Sequence, residues 1–380
     1  MSKKRILDIL FGTQNVLNII PGLALAVVVT IVGIQLTKWV AALLGLAKSP
    51  VSAIMMAIVL GIIVKNTIGV PERCQPGVSF GLKKLLRLGI ILMGIRLSIF
   101  SVLKIGVLST GIVVVAIATG VFVTLLITRR LRLAERLGTL IGVGTGICGA
   151  SAIVATGPAI EAKEEEITYA VATITIFGVV AMFVYPYVSH LILSLSHVES
   201  GIFMGTSIHE TAQVAGAGLM YDQLWIGENK LVNPTGADVA IVTKLVRNAF
   251  MALAIPLLSY LYIRRNRGII GKKVSALSLF PTFILGFIAM AVIRSLGDYF
   301  VLDKGLWDAV RWNNLCYIVK HWSGYFLAVA MAGVGLGTDI GKLRQLGAKP
   351  FYVGLFAALS VGIVSVILIK ILAPLLATVK

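Results

Sequence analysis

Apolar residues in this chain come in long runs separated by short polar connections. Runs near 19–36, 51–65, 86–103, 106–128, 138–160, 167–192, 201–220, 237–262, 279–297, 317–337 and 351–376 read as helices of bilayer-crossing length. The run near 51–65 is short, and is expected to tilt or to continue its neighbour. Ten-residue alternations, the signature of a membrane β-barrel, are missing from the pattern. The expected fold is therefore all-α: a polytopic membrane protein of about 10–11 transmembrane helices, a single transmembrane domain over 1–380 with no separate soluble domain.

Two of these runs stand apart, the first as a poor helix. Gly138–Ile160 carries Gly142, Gly144, Gly146 and Gly149 near its centre and Gly157-Pro158 near its end. Each interior glycine costs a helix about 1 kcal/mol relative to alanine, so a break in the backbone at membrane depth is expected. Unwound backbone there must be buried in protein or line a watery cavity. The small residues Ala150-Ser151-Ala152 suit the start of a second half-helix, whose N–H groups would favour an anion. On this reading Gly144, Thr145, Gly146, Gly149 and Ser151 form one wall of a substrate site. The competing reading is a glycine face for close helix packing.

The second run, Gly201–Met220, sets Ser207, His209, Glu210, Thr211 and Gln213 among apolar neighbours. Polar groups at such depth are costly and face a cavity or a partner. As one continuous helix it would put His209 and Gln213 on one face, with Thr206 beside His209. Ser207, His209, Thr211 and Gln213 are thus candidate substrate ligands, against the plainer alternative of a structural histidine. A third polar group sits inside 237–262, where Lys244 and Arg247 share a helix face. These two read as lining a watery path, with Glu210 and Asp238 the nearest counter-ions in sequence. Arg96, near a span end, could snorkel to the interface instead.

Composition agrees with the pattern. The chain is 58% hydrophobic and 13% charged, with mean hydropathy +0.97, against about 25% charged for soluble domains. The net charge of +18 would suggest nucleic acid in a soluble protein. Here short basic loops account for it, and no nucleic-acid partner is expected. With Lys3, Lys4 and Arg5 inside, eleven crossings put the loops holding Arg129–Arg136, Arg264–Lys273 and Lys342–Lys349 on the cytoplasmic side. They put Glu161–Glu166, Asp222–Asn233 and Gly297–Asn314 outside. Cys74, Cys148 and Cys316 suggest neither a disulfide nor a metal site, and His209 lacks a second ligand nearby. No cofactor, no metal and no catalytic residue is expected: Walker, HExxH and GxSxG motifs are all missing from the sequence.

Internal repetition is weak. Gly144-Thr145-Gly146-Ile147-Cys148-Gly149 pairs with Gly205-Thr206-Ser207-Ile208-His209-Glu210, and Met93–Ser98 with Ala332–Gly337. The two pairings follow different offsets, but both suit inverted repeats.

GTGICGASAI, SIHETAQVAGA, the Lys244–Arg247 helix, His321-Trp322 and AMAGVGL resemble the sulfate exporter family of bacterial inner-membrane proteins, over nearly the whole chain. The resemblance implies a secondary carrier akin to bile-acid symporters and cation/proton antiporters. It implies inverted repeats whose broken helices cross near the midplane, and a multi-pass inner-membrane location with a cytoplasmic N-terminus. The implied substrate is a small anion, sulfate or a related sulfur oxyanion or organic anion, since the family is associated with organosulfonate breakdown. Gly144–Ser151, His209–Gln213, Lys244 and Arg247 carry the pattern. Membrane lipid is the expected environment; coupling to a proton or sodium, and a homo-oligomer, are compatible with it. Three alternatives stay open: a proton- or sodium-coupled cation antiporter, a membrane-embedded sensor or enzyme, and an ungated anion channel.

Overall fold

A computed structural model describes residues 16–43, 52–227, 233–265, 279–303, 305, 308–341 and 348–376. Lys3, Lys4, Arg5, Arg267, Lys272, Lys273, Lys342 and Arg344, which entered the orientation argument, lie outside them. Among the described residues the structure is helical, with no strand. Five helices are long and apolar enough to cross a membrane: Leu17–Leu43, Ile99–Arg130, Glu164–Ile192, Phe283–Val301 and Ala348–Leu376. The pair Gly236–Ala249 and Met251–Arg265, bent by 41°, makes a sixth. The chain is a polytopic all-α membrane protein, but several of the expected runs are not single crossings.

The helices form two compact units, Met1–Leu92 with Ile318–Gly341, and Met93–Tyr317 with Lys342–Lys380. In the first, α1 (Val16–Leu43) packs on α2 (Ala53–Thr67) and on α3 (Gln75–Phe80), which leads through a π-turn into α4 (Leu86–Met93). Contact there is backbone to backbone. A Cβ on Gly61 would lie 2.8 Å from the Ala332 carbonyl, and Asn66 ties α2 to the 338–340 segment through hydrogen bonds to Thr338 O (2.9 Å) and from Ile340 N (2.7 Å).

The second unit holds α5 (Ile99–Arg130), α6 (Glu135–Gly146), α7 (Ala150–Thr156, extended by a 3-10 turn to Ile160), α8 (Glu164–Tyr187) and α9 (His197–Ser207). These are followed by α10 (Thr211–Gly227), α11 (Gly236–Ala249), α12 (Met251–Arg265), α13 (Phe283–Asp298), the first part of α14 (Ala309–Gly337) and α15 (Ala348–Leu376). The expected spans 86–103 and 106–128 are redistributed. A 3-10 turn over Gly94–Arg96 ends the first, and α5 starts at Ile99 because the Ser98 side chain accepts a hydrogen bond from Ser101 N. Large apolar residues face outward, Phe122 at 68% and Ile371 at 66% exposed, whereas Lys244 and Arg247 are fully buried. That inversion suits lipid as the surrounding solvent.

Both runs break, the first as its glycines predict and the second where one continuous helix was expected, and they fold back rather than cross. A Cβ on Gly144 of α6 would lie 2.7 Å from the Ile153 side chain of α7; a straight continuation would separate those residues by about 13 Å. Ile160 likewise joins Leu137 and Leu140 in one apolar cluster. α6 and α7 are therefore a re-entrant hairpin. In the second run the start of α9 meets the end of α10: the His197 and Trp225 rings pack tilted, their centroids 4.4 Å apart, and Tyr221 Oη donates to Leu195 O at 3.1 Å. α9 and α10 form a second hairpin, so His209 and Gln213 do not share a face of one helix. The residues between, Ile208–Glu210, are non-helical.

The hairpins enter from opposite ends of this unit. The Arg265–Glu135 ion pair (3.2 Å) places the end of α12 at the open end of the first hairpin. At the other end of the α11–α12 pair, Gly236 lies against Tyr221 and Asp222 at the open end of the second. Two expected crossings thus become two returns. This corrects the side of Glu161–Glu166, which shares a face with Arg129–Arg136, and leaves Arg264 and Arg265 on that same face. It predicts that, in a cysteine-free background, Arg130→Cys and Glu164→Cys react with a membrane-impermeant maleimide from one side, and Ser194→Cys from the other. Opposite accessibility of Arg130→Cys and Glu164→Cys would refute the first hairpin.

Candidate functional site

Each hairpin ends in three non-helical residues, Ile147–Gly149 and Ile208–Glu210. The tips touch: a Cβ on Gly149 would lie 2.7 Å from Glu210 Cγ and 3.4 Å from His209 O. Gly149 also has φ +76°, a conformation that glycine adopts without a Cβ penalty. Helix α11 passes beside both tips. Gly205 permits this contact, since a Cβ there would lie 2.6 Å from Thr243 and 2.8 Å from Ala240 O.

The last carbonyls of a helix lack intrahelical partners and carry the negative end of its dipole. Here two such ends converge, and α11 supplies the cations. Lys244 Nζ donates to Ile147 O (3.3 Å), Ile208 O (2.8 Å) and His209 O (2.5 Å). Arg247 Nε donates to Gly146 O (2.9 Å), Nη1 to Thr206 O (2.6 Å) and Ile208 O (3.2 Å), and Nη2 to Thr145 O. The sequence pairing of the two tips explains the pattern. Arg247 takes the equivalent carbonyls Thr145 and Thr206; Lys244 takes the equivalent carbonyls Ile147 and Ile208. One pair of side chains thereby reads both hairpins the same way.

This corrects the expected role of the cations. Lys244 and Arg247 do not line an open watery path; they are fully buried. An ammonium has three N–H donors, and Lys244 directs them at three carbonyls. Asp238 is not their counter-ion either. It caps α11 through Thr235, accepting from Thr235 N (3.2 Å) and Oγ1 (3.0 Å), and pairs with Arg96 Nε at 3.0 Å. Arg96 therefore spends its charge on Asp238.

The other sequence candidates divide. Thr145, Ser207 and His209 are at most 1% exposed, and Thr145 Oγ1, Ser207 Oγ and His209 Nδ1 have no hydrogen-bond partner among the described residues. Thr243 Oγ1 and Asn248 Oδ1, from α11, are unpartnered in the same way. Buried polar atoms left unpaired cost free energy, and these five surround the tips. Thr211 Oγ1 accepts from Asn248 Nδ2 at 3.0 Å. Gln213 serves its own hairpin: its Oε1 accepts from Glu210 N (3.1 Å) and its Nε2 donates to Thr175 O (3.3 Å). Gly144 and Gly146 make room for Ile153 and α5, and Ser151 is exposed. The apolar pattern gave no hint of Thr175 or Thr243. Asn248 alone had a signal, four residues beyond Lys244 on the same helix face. Glu210, singled out as an intramembrane acid, accepts from Thr175 Oγ1 at 3.1 Å beside the start of α10.

Comparison with known proteins adds the lineage. A family model described as conserved hypothetical protein 698 matches residues 21–354. The chain belongs to that family. It is 32% identical over 351 residues to the UPF0324 inner membrane protein YeiH of Escherichia coli K12, covering 91% of this chain and 92% of the relative. It is 33% identical over 316 residues to a UPF0324 membrane protein of Bacillus cereus (83% and 86% covered). It is 30% identical over 332 residues to one of Fusobacterium nucleatum (86% and 92% covered). The names of these family members place them in a membrane, the E. coli protein in the inner membrane, and do not extend to sulfate.

The geometry makes a stability prediction. Arg247→Met leaves the Thr145, Gly146 and Thr206 carbonyls without that donor, and should cost about 1–3 kcal/mol or more, the penalty for buried polar groups left unsatisfied. Arg247→Lys, keeping charge but not the fork, should recover part of it. The measurement is the thermal midpoint of detergent-purified protein, read by fluorescence-detected gel filtration. A midpoint equal to wild type in Arg247→Met would show that Arg247 does not hold the tips together.

Proposed function

We propose that the chain is a secondary transporter that carries a small oxyanion across the membrane, sulfate or a related sulfur oxyanion being the first substrate class to test. One observation carries this reading. Two re-entrant hairpins enter from opposite ends and meet at a pair of buried cations, ringed by unpartnered polar atoms on Thr145, Ser207, His209, Thr243 and Asn248. Broken helices at a repeat interface are where secondary carriers place their substrates.

The chemistry follows from charge. Lys244 and Arg247 contribute two positive charges and Glu210 one negative, so an ionised Glu210 leaves the tips one positive charge in excess. A divalent oxyanion would overshoot; with a proton on Glu210 the sum is zero. The reading thus couples one proton to each divalent anion and assigns it to Glu210. His209 was the carrier expected from sequence, but a third cation beside Lys244 and Arg247 would meet their repulsion. Ser207 Oγ and the His209 ring offer hydrogen bonds to the anion, while Lys244 and Arg247 act through their field. Loosening one tip would open the site to one face while the other stays shut, which is alternating access.

Proteoliposomes containing the purified protein test this with labelled sulfate. Ser207→Ala and His209→Ala should each lower the initial rate by about tenfold or more, the loss expected for a hydrogen bond to a charged partner. Acidifying the side from which sulfate enters should raise the rate in wild type, and Glu210→Gln should remove that response. Flux no greater than in empty vesicles for sulfate, sulfite, thiosulfate and small carboxylates would sink the proposal.

Glu210 also favours a second reading, exchange of a cation for protons, with the carboxylate as the exchanged ligand. In that case Glu210→Gln abolishes proton-driven cation flux and Ser207→Ala leaves it intact.

A further inference from the structure

A cavity that the candidate site does not use lies behind the first hairpin. It has a volume of about 320 Å³ and opens between α5, α6 and α12. Its walls are apolar, built from Val121, Leu125, Val143, Leu258 and Leu261, with the ring of Tyr262. Its charged groups, Arg129, Glu135 and Arg265, sit together where those three helices reach the basic face. From Glu135 to Val143 along α6 the cavity is about 12 Å deep at the helical rise.

We propose that this cavity seats an anionic phospholipid, one acyl chain against the apolar walls and the phosphate at Arg129. Three observations fit this occupant. Of the helices forming the walls, α5 is of membrane-crossing length and α12 is half of the bent spanning pair, and Leu261 at the rim is 48% exposed, so the groove opens where lipid is. The rim is basic beyond its lining residues, with Arg130, Arg132 and Arg264 exposed on the face that also carries the acidic Glu161–Glu166 loop; basic clusters of this kind attract anionic headgroups. Thr128 lines the cavity, and its Oγ1 is buried against Gly138 without a hydrogen-bond partner among the described residues, a donor that a turn of the side chain would offer to an ester or phosphate oxygen. Glu135 opposes the phosphate, and its ion pair with Arg265 at 3.2 Å mutes that opposition. A soluble anion would gain from the arginines alone and leave the apolar walls wet. The cavity reaches Gly142 and Val143, one turn from the Gly146 carbonyl that Arg247 holds, so a seated chain would brace the hairpin from behind. The proposal stands whether or not the tips carry an anion.

Native mass spectrometry and thermal melting of the full-length purified protein test it, titrated with phosphatidylglycerol against phosphatidylcholine of the same chains. Wild type should retain phosphatidylglycerol preferentially and melt higher with it. Arg129→Gln should weaken that binding about fivefold, the worth of one basic group near an anionic lipid. Glu135→Gln should strengthen it, an opposite sign that misfolding would not give. Leu125→Trp should displace both lipids by filling the cavity. Equal retention of the two lipids by wild type would overturn the proposal, as would an unchanged preference in both Arg129→Gln and Glu135→Gln.

Discussion

The structure around the candidate site depends on one electrostatic constraint: two helix C-termini have been brought together inside an apolar protein. The carbonyls at the ends of α6 and α9 repel one another and have no water to turn to. Lys244 and Arg247 answer that need from a third element, α11. In turn the carbonyls answer the cations, whose burial would otherwise be prohibitive. Neither half is tolerable alone. The glycines that thin α6 and α9, the polar tips and the charged face of α11 are three parts of one arrangement, though they are far apart in sequence.

The symmetry of the contacts sharpens this. Arg247 and Lys244 each choose carbonyls at matching positions of the two hairpins. Hairpins that enter from opposite ends can present such matching carbonyls to one helix as pseudo-two-fold partners. The weak repeat between Gly144–Gly149 and Gly205–Glu210 thus records a geometric demand. Sequence likeness survives where backbone must stop being helical, while the flanks diverge.

Much of this was legible in the sequence, for identifiable reasons. Glycine cost is a local property, so the break at 147–149 was readable in advance, whereas buried polarity marked 207–213 without showing that the helix stops at 208–210. Lys244 and Arg247 stood out because cations are rare inside apolar runs. The direction of the chain after each break was not readable. A broken span and a re-entrant hairpin have the same composition and nearly the same length; what separates them is the contact of Gly144 with Ile153 and of His197 with Trp225. The charge pattern could not arbitrate. Misreading both hairpins as crossings shifts the parity twice, so the basic loops stay on one side and only Glu161–Glu166 and the short 193–196 connection change faces. The partners of the cations were hidden for a further reason: they are backbone carbonyls, which carry no signature in sequence.

The same constraint bears on how such a centre could do work. Lys244 spans both tips, with one hydrogen bond to Ile147 O and two to the second hairpin. Arg247 also spans them, with Gly146 and Thr145 on one side and Thr206 and Ile208 on the other. Withdrawing either hairpin strands a subset of these donors, and a bare cation in that setting is costly unless something anionic replaces the lost carbonyls. A substrate with several oxygens is a natural replacement, because it offers acceptors to the donors that the departing tip vacates. The Ser207 and Thr145 hydroxyls and the His209 ring, unpartnered on the tip residues, are the neutral groups that could add hydrogen bonds to it. Specificity would then come from counting acceptors, and the energetic link between binding and movement would be the exchange of carbonyl oxygens for substrate oxygens around two fixed charges.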